Sequence, residues 1–160
     1  MASKVKPIPD GASRVIPMLV CRDPAALIDF CKSTFGAEER VRRPSPGGTV
    51  AHALLTIGEA MVMIEGEFAT VANRAPQADG TSPVVIYVYV EDVDKAVERA
   101  VAAGATILTP VKTQFWGDRI GRIMDPSGHT WLISTRVEET TEEERRTRAQ
   151  EWLRTTQGQG

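Results

Sequence analysis

The chain is poor in several residue types. Its 160 residues include two cysteines, two histidines and two tyrosines, and no run of basic side chains occurs anywhere. Cys21 and Cys31 are too few for a disulfide framework, and their spacing matches no common zinc motif, so both read as core thiols. Nineteen Lys and Arg against 21 Asp and Glu give a net charge of −2. That balance offers a phosphate backbone nothing to condense on and excludes nucleic-acid binding as the main activity. The longest apolar stretch, Val84 to Val90, is far too short to span a bilayer, so no membrane partner is expected. The opening residues, MASKVKPIP, lack the apolar core of a secretory signal, and a cytoplasmic location is expected. There is no G-x-S-x-G elbow, no phosphate-binding glycine loop and no HExxH pair.

What is present is an internal repeat. The run VIPMLVCRDPAALIDFCKSTFGAEE from Val15 matches VVIYVYVEDVDKAVERAVAAGATIL from Val84 in pattern: apolar strand, acidic turn, amphipathic helix, Gly-Ala, then another strand. Arg22-Asp23 corresponds to Glu91-Asp92, and Gly36-Ala37 to Gly104-Ala105. The offset is 69 residues at the first pair and 68 at the second, a one-residue slip inside the helix, and 69 again carries the hairpin HALLTIGEAMVMI from His52 onto GRIMDPSGHTWLI from Gly121. The pattern predicts helices over 24–35 and 93–103, capped by Asp23 and Asp92, started by Pro24 in the first case, and closed by Gly36 and Gly104. Leu27, Ile28, Cys31 and Phe35 form one apolar face; Val93, Val97, Ala100 and Val101 form the other. Three segments are expected: a Pro/Gly/Ser-rich leader over 1–12, one domain of two modules over 13–136 (13–75 and 82–136), and a charged helix or tail over 137–160. In that tail Thr140 or Thr141 is placed to cap a helix through Glu143 or Glu144, and Trp152 and Leu153 are the only large apolar residues. The stretch from Gly66 to Pro83 reads as a connector and a lid over the site.

A duplicated βαβββ module ending in QFWGDRIGRIMDPSGHTW (114–131), with IPMLVCRD and HALLTIG in the first half, resembles the vicinal oxygen chelate superfamily. Within it the chain is most similar to the PhnB-like branch of the glyoxalase/bleomycin-resistance proteins. The resemblance covers about Ser13 to Arg136. It implies an α+β fold in which two βαβββ modules form a cup-like curved sheet with helices on the convex face and the site in the concavity. It also implies a dimer. Activity does not follow, because the superfamily holds both metalloenzymes and binders without chemistry. The family's four metal-ligand positions fall at Ile16, Met63, Val85 and Leu132. All four are apolar, and no one-residue slip restores a donor set for zinc, magnesium, manganese or iron. No cofactor is therefore expected.

Strand alternation turns Ile16, Met18 and Val20, Val85, Tyr87 and Tyr89, Met61, Met63 and Glu65, and Thr130, Leu132 and Ser134 toward the cup. Val15, Leu19, Val62, Ile64, Ile86, Val88, Val90, Trp131 and Ile133 then face the helices. The cup is rich in tyrosine and methionine, which suits a planar or irregular organic ligand, or alternatively a closed core or a dimer seam. The loop Thr113–Arg119 adds Trp116 and Arg119 at the rim; alternatively Asp118 and Arg119 pair and Trp116 covers the sheet end. His52 and Glu65 are the polar anchors, a structural role for His52 standing beside the functional one, and His129 reads as a turn residue. The expected ligand-binding set is Met18, His52, Met61, Met63, Glu65, Tyr87, Tyr89, Trp116 and Arg119. The expected activity is metal-independent capture of an aromatic or amphipathic compound, such as an antibiotic or metabolite, by a homodimer. The alternative is a lyase or isomerase working through acid-base residues or an atypical metal set.

Overall fold

In a computed structural model, residues 5–68, 72–77 and 82–157 are described. Strand β1 (Met18–Cys21) leads into α1 (Pro24–Phe35), and β2 (Glu38–Pro44), β3 (Val50–Ile57) and β4 (Ala60–Gly66) complete the first module. The second repeats the order: β5 (Val85–Tyr89), α2 (Val93–Ala102), β6 (Thr106–Thr113), β7 (Asp118–Met124) and β8 (Thr130–Arg136). A third helix, α3 (Glu142–Gln157), follows. Both helix starts are held as the sequence predicts. The Asp23 carboxylate accepts from Ala26 N at 3.0 Å, and that of Asp92 accepts from Lys95 N at 3.1 Å, satisfying donors that the first turn leaves free.

The two sheets have the same strand order, β1-β4-β3-β2 and β5-β8-β7-β6, each with one parallel pair and two antiparallel ones. Met18 stands beside Met63 and Tyr87 beside Leu132, each residue of the second pair displaced by 69 from its counterpart. This is the α+β fold of two βαβββ modules. No described helix is long and apolar enough to cross a membrane.

One hydrophobic core runs through both modules. Leu27, Ile28, Phe30 and Cys31 of α1 and Val93, Ala96, Val97 and Ala100 of α2 are buried with Leu55, Ile64, Trp131 and Ile133 of the sheets. The helices also touch each other, and Arg99 of α2 donates to the Thr34 carbonyl of α1. Phe35 lies against Trp131 across the modules, ring centroids 4.7 Å apart. At Gly121 the absence of a side chain lets α2 pack onto the sheet: a Cβ there would meet Val97 Cγ2 at 3.0 Å and Val111 Cγ2 at 2.9 Å. Two expected core residues are not in it. Val101 is 45% exposed, its place on α2 taken by Ala96, and Val15 is 83% exposed because β1 begins three residues later.

The turn into β8 is built on Asp125, whose buried carboxylate accepts from Ser127 N, His129 N and Trp131 Nε1 at 2.8, 3.0 and 2.8 Å. Burial pushes this carboxyl up from its ordinary value, against those hydrogen bonds. His129 Nε2 lies 2.9 Å from the Val20 carbonyl and so ties the turn to β1 of the other module. Burial likewise pushes the Cys21 and Cys31 thiols up to about 12, as core thiols require.

Candidate functional site

Within the strands, register sets Met18 beside Met63, Tyr87 beside Leu132 and Tyr89 beside Ser134, while Ile16, expected with them, precedes β1; the two sheets carry different chemistry. On the first sheet, Leu54, Met63 and Met18 lie side by side in one row. The next row holds Arg43, His52 and Glu65 on adjacent strands. His52 and Glu65 are directly opposite each other and half-buried, with no hydrogen bond between them.

The second sheet carries a closed polar cluster. Tyr87 and Tyr89 point their hydroxyls at one oxygen, Asp118 Oδ2, from 3.1 and 3.0 Å, and their rings are 5.2 Å apart. Ser134 Oγ is 3.0 Å from the Tyr87 hydroxyl. Tyr89 donates to the carboxylate, and the single proton of the Tyr87 hydroxyl is aimed at both Asp118 Oδ2 and Ser134 Oγ. Asp118 is only 2% exposed, with Arg136 Nε at 3.7 Å from its other oxygen. Burial pushes the Tyr87 phenol up to about 12, helped by Tyr89 and Asp118 and opposed by Ser134.

Next to this cluster is a cavity of about 230 Å³ lined by Tyr87, Trp116, Ile120, Arg122, Leu132 and two polar side chains of the β6 side, Thr109 and Gln114. Two larger grooves flank β5: one of about 960 Å³ against the β3–β4 turn and the segment before β1, and one of about 820 Å³ against β1, with which β5 does not pair. Met61 lines the first groove with Tyr87 and Tyr89, and Met18 lines the second with Tyr87 and His129. Tyr87 therefore stands where all three spaces meet. Met63, His52 and Glu65 line none of the three.

Arg119 is a correction. It alternates with Asp118 and Ile120, so it leaves β7 on the helix side, where its guanidinium is held by both carboxylate oxygens of Asp94 at 2.8 Å. The expected pair between Asp118 and Arg119 does not form, because neighbours on a strand point to opposite faces. Asp118 and Arg122 were missed as members of the concave set. The signal was available: counting back through the turn from Ser134, Leu132 and Thr130 puts Ile120, Arg122 and Met124 opposite them.

Trp116 is held by the tail. The loop turns through a Gly117 N–H···O=C Gln114 bond of 3.1 Å, and the Gly117 carbonyl accepts from both Val137 N and Glu138 N at 3.0 Å. Thr140 Oγ1 donates to the Trp116 carbonyl, Phe115 packs edge-on to Trp116, and Trp152 of α3 lies against Phe115. Arg148 binds Glu138 through both nitrogens and reaches the Phe115 carbonyl. The helix starts with a reciprocal cap between Thr141 and Glu144. The tail is thus a buttress for the loop, docked through one aromatic contact and a set of polar ones. Of the expected connector, 69–71 and 78–81 lie outside the described residues; within it Ala75 is buried and Pro76 takes a hydrogen bond from Arg22.

The four positions where the resemblance implies metal ligands do not fit one. Met63 sits between Met18 and Leu54, Leu132 between Tyr87 and Arg122, and Val85 beside Thr130, while Ile16 precedes β1. Aliphatic groups and a thioether supply no donor for a hard or borderline cation. Among the described residues no three His, Cys, Asp or Glu side chains stand together so as to hold a metal ion.

Two mixed sheets in the same βαβββ order, backed by helices, define the cup-fold class. Residues 15–133 match the model of the Glyoxalase/Bleomycin resistance protein/Dioxygenase superfamily, and the chain belongs to that superfamily. Uncharacterized proteins of Mycobacterium bovis and Mycobacterium tuberculosis are each 39% identical to it over 131 residues, 80% of this chain and 86% and 77% of theirs. Among solved structures, TioX from Micromonospora sp. ML1 is 30% identical with a TM-score of 0.62, over 79% of this chain and 100% of that one. The fosfomycin resistance protein FosX from Listeria monocytogenes, solved with Mn(II) and sulfate, shares the fold at 19% identity and a TM-score of 0.58, over 84% and 96% of the two chains.

Proposed function

We propose that this protein is a metal-independent small-molecule binder of the PhnB-like branch, taking an aromatic or amphipathic compound on the concave face of its second module. The observation that carries the reading is the cavity beside Tyr87 and Trp116. Its walls are aromatic and aliphatic with a few fixed polar groups, the composition of a ligand site rather than of a metal centre. The aromatic faces are held in place from behind: Tyr87 by Asp118 and Ser134, Trp116 by the tail. Such fixed surfaces lose little conformational entropy on binding.

The binder acts as a homodimer in this reading. Met18, Tyr87, Tyr89 and Val84 are 45, 43, 59 and 65% exposed along the β1 and β5 edges, a concentration of apolar surface that a second copy would cover. Light scattering coupled to size exclusion tests this: twice the chain mass supports it, and a monomer at micromolar concentration contradicts it.

The pair formed by His52 and Glu65 favours a second reading, a lyase or isomerase using acid-base groups on the first module. Elemental analysis by plasma mass spectrometry, with a divalent-metal thermal-shift titration, separates the two. No metal and no shift agree with the binder; one equivalent that is lost in His52→Ala favours the enzyme.

A further inference from the structure

The cavity of the second module contains one feature that a purely apolar guest would not use. Arg122 lines it, half-buried, with its Nε sealed from solvent and without a partner. The other half-buried arginines among the described residues all face a carboxylate: Arg119 faces Asp94, Arg145 faces Glu142 and Arg148 faces Glu138. Arg122 has neither an ion pair nor a hydrogen bond. Its neighbours in the sheet are Thr109 and Leu132. The equivalent place in the first module, beside Met63, is filled by Leu54, so the fold itself does not need a cation there. A guanidinium is costly to desolvate alone, and its planar donor fork matches a carboxylate.

We infer that the ligand is an aromatic monocarboxylate whose carboxylate is bound by Arg122 and whose ring lies against Trp116 and Leu132. This rests on the reading of the cavity as the ligand site. A single unpaired cation balances a single negative charge, and no lysine lines the space. The other end of the concave face is acidic: Asp118 stands under the two phenols, which makes that end unsuited to a second anionic group. A cavity of about 230 Å³ has room for a small ring system and not for a peptide or nucleotide.

The test uses two probes of nearly the same shape, 2-naphthoate and 2-naphthamide, titrated calorimetrically into the full chain and into Arg122→Met, Arg122→Lys and Trp116→Ala variants. Each variant is first shown to be folded by its far- and near-ultraviolet circular dichroism. The native chain is expected to bind the acid at least about tenfold more tightly than the amide, the scale of a charge-assisted pair. Arg122→Met should abolish that preference by weakening the acid far more than the amide, Arg122→Lys should keep part of it, and Trp116→Ala should weaken both probes alike. Equal binding of acid and amide, insensitive to Arg122→Met but lost in Trp116→Ala, overturns the assignment of charge while leaving the cavity as the ligand site. Binding of neither probe, or binding indifferent to Trp116→Ala, overturns the cavity reading and the charge assignment together.

Discussion

Gly117→Ala is the most informative single perturbation of the site's support. Gly117 has φ of +96°, and a Cβ there would lie 2.5 Å from the Glu138 carbonyl oxygen, a backbone atom with no side-chain freedom to yield. The alanine meets two costs. Left-handed backbone costs a non-glycine residue about 1–2 kcal/mol. Moving the 137–140 segment away breaks the two hydrogen bonds from Val137 N and Glu138 N to the Gly117 carbonyl, at about 1 kcal/mol each. The total, about 3 kcal/mol, corresponds to a Tm lowered by about 6–12 °C in a chain of this size. The loss should be local in its structural effect: amide exchange accelerates across the tail and the Trp116 loop, while the strands keep their protection. Hydrogen exchange read by mass spectrometry, together with a melting curve, measures both. If Gly117→Ala melts within about 2 °C of the native chain and exchanges no faster over 137–157, on a scale where each kcal/mol is worth about 2–4 °C, the close approach and the buttress role are refuted.

Other perturbations have equally direct outcomes. Asp125→Ala leaves the Ser127 and His129 amides and the Trp131 indole without their acceptor in a buried turn, and urea denaturation should show a loss of about 3–5 kcal/mol; a loss under 1 kcal/mol would contradict the turn's construction. In an ultraviolet pH titration Tyr87 should ionise only near 12 and move part of the way back toward 10 in Asp118→Asn. Because folding favours the neutral Tyr87 phenol, its contribution to stability is complete below about pH 10 and is lost as the pH rises through 12. Glu39 behaves oppositely: hydrogen bonds from Arg42 and Lys32 hold it at about 2, so its contribution is present above its ordinary 4.5 and lost as the pH falls toward 2. As a surface network it is worth no more than about 1 kcal/mol, and Glu39→Gln should flatten that acid limb only slightly.

The repeat made most of the architecture legible. Local rules act at short range, so Asp23 and Asp92 could be assigned as caps, and the period-2 alternation of β4 and β8 put Met61, Met63, Leu132 and Ser134 on the right face before any contact was known. Two kinds of feature were harder to see. The side on which a charged residue leaves a short strand depends on which neighbour is buried, and a Gly-Asp-Arg run does not say whether Asp118 or Arg119 turns inward. Asp118 turns in because two phenols from β5 are there to donate to it, and Arg119 turns out because α2 presents Asp94. The second kind is long-range docking. The tail has a polar composition, and nothing in EETTEEERRTRAQEWL announces that Trp152 and Arg148 will settle on Phe115. The expected single cup lining also divides: Met61, Met18 and Trp116 each share a space with Tyr87, but not with one another. Alternation assigns a face to each residue and does not set how two sheets with unpaired edges stand together.

Binding in the absence of metal, at the cavity beside Tyr87, is the central claim. Calorimetric titration of the full chain with a panel of small aromatic compounds in EDTA-containing buffer, repeated on Trp116→Ala, tests it most directly. A saturable, one-site isotherm in EDTA that is lost in Trp116→Ala is the expected result; heat that appears only after a divalent cation is restored, and is unaffected by Trp116→Ala, would contradict it.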